Sequence, residues 1–175
     1  MTAICGVVSE SGVYLGADRA ISNVWGNTAV MNNPKIFRNG PCLMAFAGNP
    51  RPAQIAEFYM ELNKKDLSKG KEMEWCVNVL VPSLQEAFAE CGYGGEEEDF
   101  SFIVAVGNRI FSLTPDLVVI ELQKKYISMG DGEAYSNGVF AAIGVEPPEQ
   151  CIETALKAAE ENCGSVLGPF DIVKL

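Results

Sequence analysis

Threonine at position 2 carries two groups that can work together once Met1 is removed. Its hydroxyl can attack a carbonyl carbon, and its freed α-amine, with an ordinary pKa of about 7.7–8.0, can take the hydroxyl proton near neutral pH. Removal of an initiator methionine is expected before so small a residue. If Met1 stays, the nitrogen is an amide and cannot act as a base. The 175 residues include no histidine, which excludes Ser-His-Asp and Cys-His catalysis, histidine-bound zinc and a histidine pH switch. A hydrolase built from this chain needs another base, and Thr2 can supply one. Taken alone, a Met-Thr opening is more simply the start of a strand, so other residues have to support the chemistry.

Three of them do. Asp18 follows an apolar strand in Gly16-Ala17-Asp18-Arg19, Lys35 follows Pro34 at the head of Lys35-Ile36-Phe37-Arg38, and Gly48 ends the run Ala45-Phe46-Ala47. Singly they read as two surface charges and an ordinary strand-ending glycine. Brought together they would support the Thr2 chemistry. A buried lysine beside Thr2 would lower the pKa of its hydroxyl and amine, and a carboxylate would keep that lysine protonated. Gly48, with no side chain in the way, can bring a backbone N–H close to a developing oxyanion. No metal or organic cofactor is required by such a scheme.

The elements that would position these residues alternate in type along the chain. Thr2–Val8 and Gly12–Ala17 read as a hairpin, and Asn27–Met31 and Lys35–Arg38 lead through Asn39-Gly40 into a strand over Cys42–Ala47. Ile55, Phe58, Tyr59 and Leu62 then fall on one helical stripe, followed by a loop from Lys64 to Gly70. Val77, Leu80, Val81, Leu84, Phe88 and Cys91 mark a longer helix that Pro82 should kink or restart. The acidic run Glu96-Glu97-Glu98-Asp99 reads as a solvated loop rather than a metal site.

Four strands follow over Phe100–Val106, Arg109–Leu113, Leu117–Leu122 and Tyr126–Met129. A small-residue helix over Glu133–Ile143 offers close packing at Gly138. A last helix opens at Pro147-Pro148, with Ile152, Ala155, Leu156 and Ala159 on one face, before a short strand near Phe170–Val173. Segregated runs of strands and helices predict an α+β layer structure, two sheets covered by helices, rather than a parallel βαβ sheet.

The composition bounds the partners. With 23 acidic and 13 basic residues the chain carries a net charge of −10, which argues against binding nucleic acid or an anionic membrane. An apolar content of 48% can build a sizeable core, and the length suits one domain over 1–175. Cys5, Cys42, Cys76, Cys91, Cys151 and Cys163 are scattered without a C-x-x-C pair, as expected of reduced thiols in a cytoplasmic protein. No leader and no apolar run of about 20 residues is evident.

The ordered set Thr2, Asp18, Lys35 and Gly48 resembles the active-site residues of N-terminal-nucleophile peptidases, specifically the proteasome β-subunit and HslV-like family. Gly26-Asn27-Thr28 followed by Val30-Met31, the turn Gly130-Asp131-Gly132-Glu133-Ala134-Tyr135, and Ala155-Leu156 leading to Cys163 extend the likeness over the whole chain. The resemblance implies a four-layer α-β-β-α sandwich and threonine endopeptidase activity. It assigns Thr2 as nucleophile and base, Lys35 as activator, Asp18 as its partner and Gly48 as oxyanion donor. It places Asp131 and Glu161 at the positions of the family's supporting serine and aspartate, and implies Ser22, Asn33, Phe46, Gly48 and Pro50 as substrate contacts. Phe46 would favour compact or apolar side chains. The resemblance further implies homo-oligomeric rings acting on unfolded proteins or peptides, with an ATP-dependent unfoldase as possible partner.

Two positions depart from the pattern. Asp131 replaces a serine that hydrogen-bonds the nucleophile's amine, and a carboxylate there would favour the ammonium form and shift activity to alkaline pH. Glu161 stands where the family has an aspartate, followed by Gly164-Ser165 in place of bulkier or hydroxylated neighbours. The match at Cys163 to a monovalent-ion site is too poor to assign an ion. Two other functions fit the same residues: a non-catalytic ring or scaffold subunit, and an amidohydrolase for small amides.

Overall fold

The computed structural model describes residues 2–22, 27–63, 67–94 and 99–175. The expected loop at 64–66, most of the acidic run (96–98) and residues 23–25 of the segment Ile21–Trp25, expected to lie beside the cleft, fall outside the described residues. Two antiparallel sheets form the centre. In one, β1 (Ile4–Ser9) and β2 (Gly12–Ala17) make the expected hairpin, and β10 (Tyr126–Met129) and β11 (Asp171–Lys174) flank it in the order β10-β1-β2-β11. In the other, β5 (Ile36–Asn39), β6 (Cys42–Gly48), β7 (Phe100–Val106), β8 (Arg109–Leu113) and β9 (Val119–Ile120) run in chain order. A small pair, β3 (Ala20–Ser22) with β4 (Thr28–Val30), stands beside them; β3 was not foreseen because three residues are too few to show alternation.

Alternation along each strand sends side chains to two faces, and three apolar clusters result. Ile4, Leu15 and Ala17 of the first sheet meet Leu43, Ala45 and Ile103 of the second in a core between the sheets. The outer face of the second sheet packs Met44, Phe46, Phe102 and Val104 against α1 (Pro50–Phe58) and a helical run over residues 72–90. The outer face of the first packs Cys5, Val7 and Tyr14 against α4 (Glu133–Ile143) and α5 (Pro148–Asn162). The α5 face foreseen from Ile152, Ala155, Leu156 and Ala159 is wholly buried.

The run over 72–90 shows how the chain accommodates Pro82. It comprises α2 (Glu72–Trp75), a π segment (Cys76–Leu80) and α3 (Val81–Glu90). The wider π turn lies immediately before the proline, where the missing amide hydrogen would otherwise interrupt the α ladder, so the helix widens there.

Two expectations fail. The stripe Ile55, Phe58, Tyr59, Leu62 does not form: Ile55 is buried, but α1 ends at Phe58, and Phe58 and Tyr59 are 68% and 57% exposed. The cause is Asn39, whose side-chain amide donates to the carbonyls of Ala56 and Met60 while its oxygen accepts from the Leu62 N–H. That side chain satisfies the helix end and holds Met60 and Leu62 in the core from an irregular segment. Gly138 does not mediate close packing either, since it is exposed and a Cβ there would meet nothing within 4 Å.

Candidate active site

The sites of Thr2, Asp18 and Lys35 converge from three parts of the chain. Thr2 leads into β1, Asp18 follows β2, and Lys35 precedes β5 on the facing sheet. Backbone pairing brings the first two together, because the Asp18 N–H donates to the Ala3 carbonyl at 3.1 Å and the Ala3 N–H donates to Asp18 Oδ1 at 3.1 Å. The Lys35 ammonium then donates to Thr2 Oγ1 and to Asp18 Oδ1, each at 2.7 Å. All three residues are buried, with relative exposures of 2%, 0% and 1% for Thr2, Asp18 and Lys35. Asp18 Oδ2 accepts from the Ala20 and Leu167 amides at 2.9 and 3.3 Å, so both carboxylate oxygens are engaged.

Burial pushes the Lys35 ammonium below its ordinary pKa, and the attraction of Asp18 and then of Asp131 works against that fall. The result is a desolvated cation pointed at a hydroxyl. Such a group favours negative charge developing on the Thr2 oxygen more strongly than a solvated lysine would.

Thr2 and Lys35 open onto a cavity of about 350 Å³ whose walls include Ser22, Phe46, Gly48 and Pro50. Gly48 has φ 88°, and a Cβ at that position would lie 2.3 Å from the Asp99 carbonyl, so only glycine lets β6 turn there. Phe46 is 7% exposed and takes part in both the core and this wall. Asn33 is exposed and does not line the cavity.

The turn at 130–132 closes on Thr2 from another direction. The Gly132 N–H donates to the Thr2 carbonyl at 3.2 Å, and at Gly130, φ 89°, a Cβ would lie 2.4 Å from the same oxygen. Asp131, between them, is exposed and accepts a 2.6 Å hydrogen bond from the Ser165 hydroxyl. Glu161 is exposed near the end of α5 and makes no hydrogen bond or ion pair among the described residues. Ser165, which holds Asp131, stands out in the sequence only as a departure from the family pattern beyond the last helix, with nothing there to give it this role. Ile21, in the segment Ile21–Trp25 expected to shape access to the cleft, does line the cavity, whereas its walls Met31 and Asn49 went unforeseen. No group of three His, Cys, Asp or Glu side chains able to hold a metal ion occurs among the described residues.

No protein-family model matches the sequence, and no curated protein is significantly similar to it. Solved structures are informative. BPH from Thiobacillus denitrificans, in complex with epoxomicin, superposes with a TM-score of 0.79 at 21% identity, covering 99% of each chain. Eukaryotic HslV from Trypanosoma brucei gives 0.68 at 17% identity, covering 98% of each. Anbu from Pseudomonas aeruginosa, seen in a helical assembly, gives 0.68 at 16% identity, covering 99% of this chain and 81% of that one. The chain has a proteasome-like fold. At these identities the likeness speaks for the fold alone, and no helix among the described residues is long and apolar enough to cross a membrane.

Proposed function

We propose that this chain is a threonine-type endopeptidase of the N-terminal-nucleophile class, a single domain over 1–175 with a four-layer α-β-β-α sandwich. The observation that carries the reading is the Lys35 ammonium bridging Thr2 Oγ1 and Asp18 Oδ1 at the wall of a cavity large enough for a side chain. After removal of Met1, the Thr2 amine takes the hydroxyl proton as Oγ1 attacks a peptide carbonyl carbon. Lys35 stabilises the forming alkoxide and the Gly48 N–H stabilises the tetrahedral oxyanion. Collapse breaks the C–N bond and hands the proton to the departing amine, leaving an ester on Thr2. Water, deprotonated by the same α-amine, then releases the acyl group and restores the hydroxyl.

The reading extends to assembly. Subunits would associate into homo-oligomeric rings that enclose the sites and admit unfolded proteins or peptides in the cytoplasm, with an ATP-dependent unfoldase as the feeding partner. Asp131 acts on the site from the 130–132 turn, and Ser22, Phe46, Gly48 and Pro50 border the substrate; Asn33, outside the cavity walls, and Glu161, exposed at the end of α5, keep no role in it. A second reading, a non-catalytic scaffold subunit, is favoured by the carboxylate of Asp131 in a turn packed against Thr2, where it would hold the amine protonated.

Epoxomicin separates the two. Intact mass should first show a chain lacking methionine, and incubation should then add one inhibitor per chain at Thr2, with Thr2→Ala losing both the adduct and casein hydrolysis. A processed chain that takes no adduct and cleaves nothing at any pH from 6 to 10 supports the scaffold.

A further inference from the structure

The three side chains of the site do not stand on one sheet. Thr2 and Asp18 belong with β1 and β2, whereas Lys35 leads into β5 of the sheet that faces them. The sheets meet through apolar side chains, and apolar contact is non-directional, so it does not by itself fix where the Lys35 ammonium arrives. Arg19, next to Asp18, ties the two sheets with directional bonds. Its Nε and Nη2 donate to the two carboxylate oxygens of Asp171, each at 2.7 Å, and Asp171 opens β11 opposite Ala17 of β2. Its Nη1 donates to the Asn32 carbonyl at 2.8 Å, three residues before Lys35. The backbone repeats the tie: the Arg19 carbonyl accepts from the Met31 N–H at 2.8 Å, and the Arg19 N–H donates to the Leu167 carbonyl at 3.1 Å. Residues 32–34 are exposed and belong to no strand, so the bonds they make to other segments set the path into Lys35.

We infer that Arg19 is a positioning residue: its guanidinium, clamped by Asp171, carries the Asn32–Lys35 segment to the place from which the Lys35 ammonium reaches Thr2 and Asp18. The clamp works by shape more than by charge. A planar fork serves both oxygens of Asp171 and the Asn32 carbonyl at once, which one ammonium on a flexible stem cannot do. At 23% and 17% exposure the two side chains are shielded enough for a bidentate pair to keep its geometry. The consequence for rate rests on the enzyme reading; the clamp itself does not.

The test uses the processed full chain with isotopically labelled lysine. Buried and hydrogen-bonded, the Lys35 ammonium should give a slowly exchanging proton signal in magnetic resonance at neutral pH, assigned by its proximity to Thr2. Arg19→Lys keeps the charge and loses the fork. It should speed that exchange and slow epoxomicin labelling of Thr2, each about tenfold, as a small displacement of a positioned group does. Asp171→Asn, which spares the Asn32 bond but weakens the hold on the guanidinium, should do the same to a smaller extent. Arg109→Lys breaks a similar fork, that to Glu121, away from Thr2, and should change neither reading. If Arg109→Lys and Arg19→Lys act alike, general loosening is the cause and the proposal is wrong. Wild-type exchange and labelling in Arg19→Lys also overturn it, since charge alone would then suffice. Should Arg19→Lys not fold, Asp171→Asn decides: it must speed the exchange where Arg109→Lys does not. A wild type that takes no epoxomicin rejects the enzyme reading and leaves the clamp to the exchange rate, which needs no chemistry. A labelled wild type whose exchange is untouched by Arg19→Lys rejects the clamp alone.

Discussion

Two carboxylates flank Thr2, and they are held in opposite ways. Asp18 is fully buried and takes four donors, the Lys35 ammonium and the amides of Ala3, Ala20 and Leu167. Asp131 is exposed and held by one hydroxyl, that of Ser165. A desolvated carboxylate cannot lose donors without a large penalty, whereas an exposed one exchanges a hydroxyl for water at little cost. On the proposed function the buried side would decide whether a site exists, and the open side the pH at which it works.

The sharpest way to break this contrast is Lys35→Met. It leaves Asp18 charged and buried without its cation, and urea unfolding should show a loss of about 3–5 kcal/mol. Peptidase activity should fall at least about 100-fold even where the variant is folded, because the alkoxide loses its partner. A variant with wild-type stability would mean that the three backbone amides alone hold the carboxylate.

On the open side the same kind of change should spare the fold and move the pH profile. On the proposed mechanism a carboxylate at Asp131 would favour the ammonium form of the Thr2 amine and so raise the pH at which the base becomes free. Asp131→Ser should shift the acid limb of kcat/KM to lower pH by about one unit, while stability changes by less than about 1 kcal/mol. Ser165→Ala should shift the limb by less, since it unfastens the carboxylate without removing its charge. An unmoved limb in Asp131→Ser would show that the turn does not address the amine.

The buried side was also the side that could be read in the sequence. Asp18 and Lys35 each sit at the edge of an apolar strand, where a charge is costly unless it has a partner, and their order with Thr2 and Gly48 made the pairing intelligible. The two sheets followed from alternation and from the Asn39-Gly40 turn, and their covering helices from apolar faces such as that of α5. What escaped depended on single side chains acting across long sequence separations. Asn39 ends α1 by taking carbonyls 17 and 21 residues away, and no periodicity reports that. Ser165 reaches Asp131 across 34 residues from an irregular segment, and a half-buried hydroxyl has no pattern that distinguishes it from any other.

Thiol chemistry reads the same contrast at finer scale. Cys5 lies three residues from Thr2 on β1, and burial pushes its thiol up to about 12. Cys163 is half-buried, with Sγ 3.7 Å from Ser165 Oγ. At pH 8 iodoacetamide should therefore alkylate Cys163, together with the half-buried Cys91, and spare Cys5, Cys42, Cys76 and Cys151, as peptide mass mapping will show. The raised Cys5 pKa also fixes a sign. The unfolded thiol, near 9.0, loses its proton before the folded one does, so its stabilising contribution is complete below that pH and declines as the pH climbs towards the folded value. Cys5→Ala should flatten the alkaline side of the stability curve. Alkylation of Cys5 as fast as Cys163 at pH 8 would mean that β1 opens readily, and the strand that presents Thr2 would then be no firmer than the loop that presents Asp131.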